Sequence, residues 1–224
     1  MRRLLVLLVL SVPLLGACGS SGSTAADTTT TTTAPPFTPA DQRISEAFQL
    51  VAADLPGFQE IAPEMSEVLD LARSSASVKA CDFFRVADQN AVLAGRSGGF
   101  QRSTTKVNAS VAIFETSEAA QALVELFRDP KMVQCLEGVY SDSGGAVSVS
   151  PIAPNDLGDD RVAYRITPTG QADSPDGKVV DVIVVRVGRA VFSVNVSGGT
   201  AADAAEVQSN ALPKVVDRIR AAEG

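Results

Sequence analysis

The chain contains no histidine and no tryptophan, and among its 224 residues there are only three cysteines, two tyrosines and nine phenylalanines. Without an imidazole, the Ser-His-Asp and Cys-His nucleophilic mechanisms, His-ligated zinc or haem, and the usual near-neutral acid/base group are all excluded. Basic clusters are lacking as well. No Lys/Arg run exceeds the Arg2-Arg3 pair, and 19 Lys+Arg against 26 Asp+Glu leave a net charge of -7. Nucleic-acid binding requires a local excess of basic side chains over phosphate, so no nucleic-acid partner is expected. The N-terminal apolar run, Leu4 to Leu15, is also too short to be a membrane span. At about 1.5 Å per helical residue it reaches roughly 18 Å, against about 30 Å of hydrocarbon.

That run has another reading. Met1-Arg2-Arg3 is a positive start, Leu4 to Leu15 (LLVLLVLSVPLL) is an h-region, and residues 1–17 read as a signal peptide. The end of the run decides its type, because Leu15-Gly16-Ala17-Cys18 resembles the bacterial lipobox, in which the Cys thiol takes a diacylglyceryl group before cleavage. The resemblance implies a lipoprotein acylated at Cys18, palmitate being a typical chain, and held by that lipid on the extracytoplasmic face of the cell membrane. Two or more chains give stable anchoring where one is marginal. Loss of residues 1–17 removes two Arg and no acid, so the net charge moves from -7 to -9. So acidic a domain is not drawn to anionic lipid, which leaves the covalent lipid to hold it.

Residues 18–39 then read as a disordered linker. Gly19 to Pro39 (GSSGSTAADTTTTTTAPPFTP) carries one charge, Asp27, and one large apolar side chain, Phe37, too little to bury. About 20 residues of this kind reach roughly 25 Å as a coil and about 60 Å in polyproline form. Thr-rich tracts with Pro also carry O-linked sugar in some proteins, so a bare spacer and a glycosylated one both stand.

With Cys18 assigned to lipid, Cys81 and Cys135 remain, and in an oxidising compartment an even pair is most simply one disulfide. The rival, a redox or metal pair, lacks both C-x-x-C spacing and His co-ligands. No metal site and no cofactor are expected.

From residue 40 to 224 the composition supports one core, and the whole chain is 45% hydrophobic. Thr38-Pro39-Ala40-Asp41 opens a helix with a capping Thr and Pro at the first position. Its stripe is predicted as Ile44, Ala47, Phe48 and Val51, with a stop at Asp54-Leu55-Pro56-Gly57. Phe58 to Ile61 fits a short strand, and Pro63 to Ser77 fits either a helix or an irregular segment. Ala91 to Gly95, Gly99 to Thr104 and Val107 to Phe114 read as strands, and Ser117 onward as an amphipathic helix on Ala120, Leu123, Val124 and Phe127 that Pro130 ends or kinks. Four β-rich runs follow, Val147–Ile152, Arg161–Thr167, Lys178–Val187 and Ala190–Val196, separated by turn residues. Gly188-Arg189 makes the last two a hairpin, with Gly188 at positive φ. In the final run Ala190, Phe192, Val194 and Val196 share one side and Val191, Ser193, Asn195 and Ser197 the other. That alternation predicts an antiparallel sheet with one covered face. A closing helix uses Leu212, Val215, Val216 and Ile219, with Pro213 a kink or a new start. The expected fold class is α+β: an antiparallel β-sheet with helices packed on one face, a single domain and one disulfide.

This order of features resembles a family, the small actinobacterial lipoproteins related to the extracellular sensor domains of mycobacterial serine/threonine receptor kinases (PknH-like sensor domains). The pieces that carry the resemblance are Ala53-Asp54-Leu55-Pro56-Gly57 after a helix, Cys81 before a loop, Val111 to Ala120 (VAIFETSEAA) passing from strand to helix, Cys135, Leu157-Gly158-Asp159, and Val184 to Val191 (VVRVGRAV) before a closing helix. The resemblance implies a PsbP/Mog1-like architecture with a cleft and a ligand-binding role in the kinase-linked members. The chain departs from them in having no kinase domain and a single disulfide where the sensor domain has two.

No catalytic constellation is evident, and the chain is expected not to be an enzyme. Asp156, Asp159 and Asp160 lack the spacing of a calcium loop and read as a solvated turn. Asn108-Ala109-Ser110 and Asn195-Val196-Ser197 match a glycosylation sequon but fall in strands of what reads as a bacterial chain. Arg186 interrupts an apolar run and is the one weak candidate for a ligand-pocket arginine, against an exposed strand face as the plainer reading. The expectation is a non-catalytic ligand-binding or sensor-like domain for a small-molecule or lipid ligand. The alternative is an accessory structural or interaction protein of the cell envelope with a protein partner. A hydrolase using two carboxylates is a third reading, with no pair singled out.

Overall fold

The computed structural model describes residues 38–62, 78–84, 91–169 and 177–224, all within the compact unit Ala34–Gly224. Helix α1 (Pro39–Ala47) begins in a capping box: Thr38 Oγ1 accepts from Asp41 N at 3.2 Å and Asp41 accepts from Thr38 N at 2.8 Å. It ends one turn earlier than the sequence stripe implies, and Val51 is 45% exposed. The cause is downstream. Arg218 takes the carbonyls of Ala47 and Gln49, and Asp54 takes the Val51 N–H, so the chain turns away before a further helical turn forms.

Strand β1 (Gln59–Ile61) and a 3-10 helix (Lys79–Phe84) precede β2 (Ala91–Arg96), β3 (Gly99–Arg102) and β4 (Thr105–Phe114). Helices α2 (Ser117–Arg128) and α3 (Lys131–Gly144) follow, separated at Pro130. Then come β5 (Val147–Ile152), β6 (Asp160–Pro168), β7 (Val179–Val187) and β8 (Ala190–Gly199), and finally α4 (Ala201–Asn210) and α5 (Leu212–Glu223). The last two are separate helices, so Pro213 marks a new start, not a kink.

The eight strands make one antiparallel sheet in the order β1-β3-β4-β8-β7-β6-β5. β2 pairs with the other end of β4, so β3 and β2 run in tandem along one edge of that strand. The antiparallel α+β class and the Cys81–Cys135 disulfide agree with expectation. The placement of the helices does not: they cover both faces of the sheet. On one face α1, α4 and α5 pack Ile44, Phe48, Val207 and Leu212 onto Val111, Ile183, Val185 and Phe192. On the other, α2, α3 and the 3-10 helix pack Leu123, Phe127, Leu136 and Phe84 onto Val182, Val184, Val191 and Tyr164. The reason is legible in β7, where Val182-Ile183-Val184-Val185 are all buried and successive side chains serve opposite cores.

Two local devices fix this arrangement and carry predictions. Gly198 has φ +71, and a Cβ there would lie 2.4 Å from the Thr104 carbonyl oxygen, a backbone atom that cannot move aside. Gly198→Ala is expected to cost at least about 1 kcal/mol in urea unfolding, and an unchanged midpoint would refute the close approach. The second device is the capping box of α4, in which Asp203 accepts from Thr200 N at 2.8 Å. The backbone and side-chain hydrogen bonds from Thr200, with Arg102 nearby, lower the Asp203 pKa below its ordinary 3.8. A depressed folded pKa contributes stability that is complete above the unfolded value and is lost as pH falls through the folded one. Below pH 3.8 the wild type should therefore lose stability more steeply than Asp203→Asn, and parallel stability-against-pH curves would count against it.

Candidate functional site

A cavity of about 650 Å³ opens on the α2/α3 face of the sheet. Its floor comes from β2, β4, β8 and β7, and its ceiling from α2, α3 and the 3-10 helix. The ceiling is apolar apart from Tyr140. Phe84, Leu123, Phe127 and Leu136 are each buried and line it, and Phe84 meets Phe127 edge-on with centroids 5.0 Å apart. Those side chains are positioned by helical spacing: Leu123 and Phe127 stand four residues apart on the buried stripe of α2.

The floor changes character along the strands. In one cross-strand row Ala94, Ala112 and Val191 lie side by side; two residues along, the next row is Arg96, Ser110, Ser193 and Val184. One pair further, Asn108 faces Asn195, which faces Val182. Ser110 Oγ and Ser193 Oγ share a hydrogen bond at 2.8 Å, and Asn195 Nδ2 donates to Asn108 Oδ1 at 3.2 Å. Each pair satisfies only part of its own capacity. Two hydroxyls that share one bond keep an O–H and several lone pairs, and Asn195 keeps its carbonyl oxygen. Tyr140 of α3 lines the ceiling, and burial pushes its phenol above the ordinary tyrosine pKa of 10.0, so it is a neutral O–H donor at physiological pH. Arg96 is the only charged side chain among the described lining residues, and it is exposed at the rim.

Sequence reading did not single out this floor, although the signal was present. Val191, Ser193, Asn195 and Ser197 alternate with a fully apolar set, and the two Asn-x-Ser triplets contribute Asn108, Ser110, Asn195 and Ser197 to adjacent strands. A polar alternate face reads as solvent-facing, and only the helices arriving from elsewhere in the chain convert it into a cavity floor.

The residues that the sequence did single out lie elsewhere. Arg186 is not among the cavity-lining residues. Its Nη1 donates to the Gly188 carbonyl at 3.1 Å and lies 3.6 Å from Asp159, so it braces the β7–β8 turn. The acidic turn is neutralised by arginines: Asp156 meets Arg161 at 2.7 Å, Asp159 meets Arg220 at 3.4 Å, and Asp160 pairs with Arg128. Among the described residues no cluster of three or more His, Cys, Asp or Glu is arranged to hold a metal ion. Cys81 and Cys135, both fully buried, join the 3-10 helix to α3 behind the cavity ceiling. Cys18, the signal-peptide segment, the linker as far as Phe37, and the stretch Pro63 to Ser77 lie outside the described residues, whereas Thr38 and Pro39, at the end of the expected linker, already cap and open α1. No described helix is long and apolar enough to cross a membrane.

No protein-family model matches the chain, and no curated protein matches it. Among solved structures it is similar to the extracellular domain of PknH from Mycobacterium tuberculosis, with 17% sequence identity and a TM-score of 0.38 over 55% of this chain and 63% of that one. The chain thus spans less than two thirds of that domain.

Proposed function

We propose that the protein is a lipid-anchored extracytoplasmic lipoprotein whose folded domain binds a small molecule without transforming it. In this reading residues 1–17 are removed as a signal peptide, Cys18 carries the lipid, and residues 19–37 form a tether that lets an acidic domain stand off the membrane. The observation that carries the binding role is the cavity, about 650 Å³ with an apolar ceiling and a few convergent polar groups on its floor. That volume falls within the range of about 300–1,000 Å³ in which proteins hold small molecules, with apolar walls for affinity and sparse polar groups for orientation. The lipobox-like Leu15-Gly16-Ala17-Cys18 supports the anchoring.

Two measurements test the two halves. Cells fed an alkynyl palmitate should label the wild type and not Cys18→Ser, and the variant should move from the membrane pellet to the soluble fraction. Labelling that survives in Cys18→Ser would overturn the anchor. For the binding role, native mass spectrometry of the full chain extracted from membranes should show a co-purifying small molecule across several detergents. Consistent recovery of the bare protein would count against it.

A further inference from the structure

We propose that the cavity takes a single-chain acyl amphiphile, its hydrocarbon against the Phe84–Phe127 ceiling and its oxygen-bearing end on the Arg96–Ser110–Ser193 row. The inference rests on reading the cavity as a ligand site and names the class of molecule that fits it. The first argument is size. About 650 Å³ holds roughly 20 non-hydrogen atoms at about 30 Å³ apiece, the volume of a liquid water molecule. That is one long acyl chain with a small head, and it is too little for two chains.

Polarity is the second argument. Phe84, Phe127 and Leu136 of the ceiling are buried, whereas on the floor the row runs from buried Val184 through half-buried Ser193 and Ser110 to exposed Arg96, so its polar groups lie toward the rim. A wholly apolar ligand would strip water from the serine hydroxyls and return no hydrogen bond, and a compact polar ligand would leave the phenylalanine wall unmatched. An amphiphile satisfies both ends in one orientation. Charge is the third argument. Among the described lining residues there is no carboxylate, and the single ionic group is an arginine directly across the strands from the serine pair. The serine hydroxyls and the guanidinium are hydrogen-bond donors, which suits a head that presents carboxylate or hydroxyl oxygens.

The test uses the full chain in membranes and a photoactivatable, alkyne-bearing palmitic acid, with the cross-linked peptides mapped by mass spectrometry. Label is expected on the peptides that carry Phe84, Leu123 to Phe127 and Leu136 to Tyr140. Unlabelled palmitic acid or monopalmitoylglycerol should compete, and dipalmitoyl phosphatidylglycerol should not. Competition by palmitic acid alone marks a carboxylate head; competition by both shows that hydroxyl oxygens suffice.

Ala112→Phe fills the floor and should cut labelling of those peptides about tenfold, equivalent to about 1.4 kcal/mol of affinity. Arg96→Gln, at the exposed rim, removes the guanidinium without filling the cavity and, if Ala112→Phe misfolds, serves in its place: palmitic acid should then compete several-fold more weakly. Label scattered over surface peptides, equal competition by the two-chain lipid, or normal labelling in a folded Ala112→Phe protein would each overturn the proposal. Should native mass spectrometry instead find a different small molecule that Ala112→Phe excludes, the acyl class fails while cavity binding stands. If the variant changes neither measurement, both fail.

Discussion

Replacing both Cys81 and Cys135 with Ala is expected to lower the unfolding free energy by about 4 kcal/mol. The bridge closes a sequence separation of 54 residues, and the chain-entropy cost that such a loop removes from the unfolded state is about 4 kcal/mol at room temperature. With a urea m value of about 2 kcal/mol/M, the midpoint should fall by roughly 2 M. Alanine is the right replacement because both sites are fully buried, where a serine hydroxyl would add a desolvation cost of its own. The bridge also has a local task. Cys81 and Phe84 are three residues apart in a 3-10 helix, so they share one face, and the bond to α3 holds Phe84 in the cavity ceiling. Links of that short helix to the rest of the fold include the bridge, the Phe84–Phe127 contact and the seating of Val78 at Gly138. The double variant should therefore lose cavity labelling as well as stability. A loss of less than about 1 kcal/mol would mean that the unfolded chain is already compact around this loop.

Much of the fold could be read from local pattern, and what could not depends on non-local packing. The α2 stripe Ala120, Leu123, Val124 and Phe127 and the β7–β8 turn at Gly188 follow from spacing and turn chemistry, and both stand in the structure as expected, with Gly188 at φ +53. Strand β5 matches its expected bounds, Val147–Ile152. Val51 did not follow its stripe, because Arg218, 167 positions away in sequence, draws the preceding carbonyls out of the helix. The second covered face was missed because Ser193 and Asn195 look solvent-facing within their own strand, although the four consecutive apolar residues Val182 to Val185 of β7 already called for two cores. The cavity was hidden for a related reason: its ceiling lies on α2, α3 and the 3-10 helix and its floor on four strands, so its lining is gathered from stretches spread between Phe84 and Asn195.

Arginine substitutions separate surface charge from buried charge in this fold, and Arg165 offers the largest contrast. Its Nε and Nη2 donate to the two carboxylate oxygens of Asp181 at 2.8 and 2.7 Å, and Asp181 is 0% exposed. The pair sits cross-strand between β6 and β7, with Gln208 of α4 3.5 Å from the same carboxylate. Hydrogen bonding to Asp181 raises the Arg165 pKa above its ordinary value while burial acts the other way, so the guanidinium stays charged throughout the working range. Arg165→Met would leave a buried carboxylate with one long amide contact. Removing one partner of such a pair costs about 3–5 kcal/mol, and the partial exposure of Arg165 points to the low end, about 3. Arg165→Met with Asp181→Leu should recover part of that, because the unpaired charge is gone, but Gln208 is then buried without its acceptor. Adding Gln208→Met should bring stability close to wild type, since replacing a whole buried polar group by apolar residues of similar size is often neutral. Urea unfolding of the three variants checks the order. If the single substitution costs less than about 1 kcal/mol, or if the triple variant is the least stable of the three, an uncompensated Asp181 charge is not what destabilises the fold when Arg165 is removed.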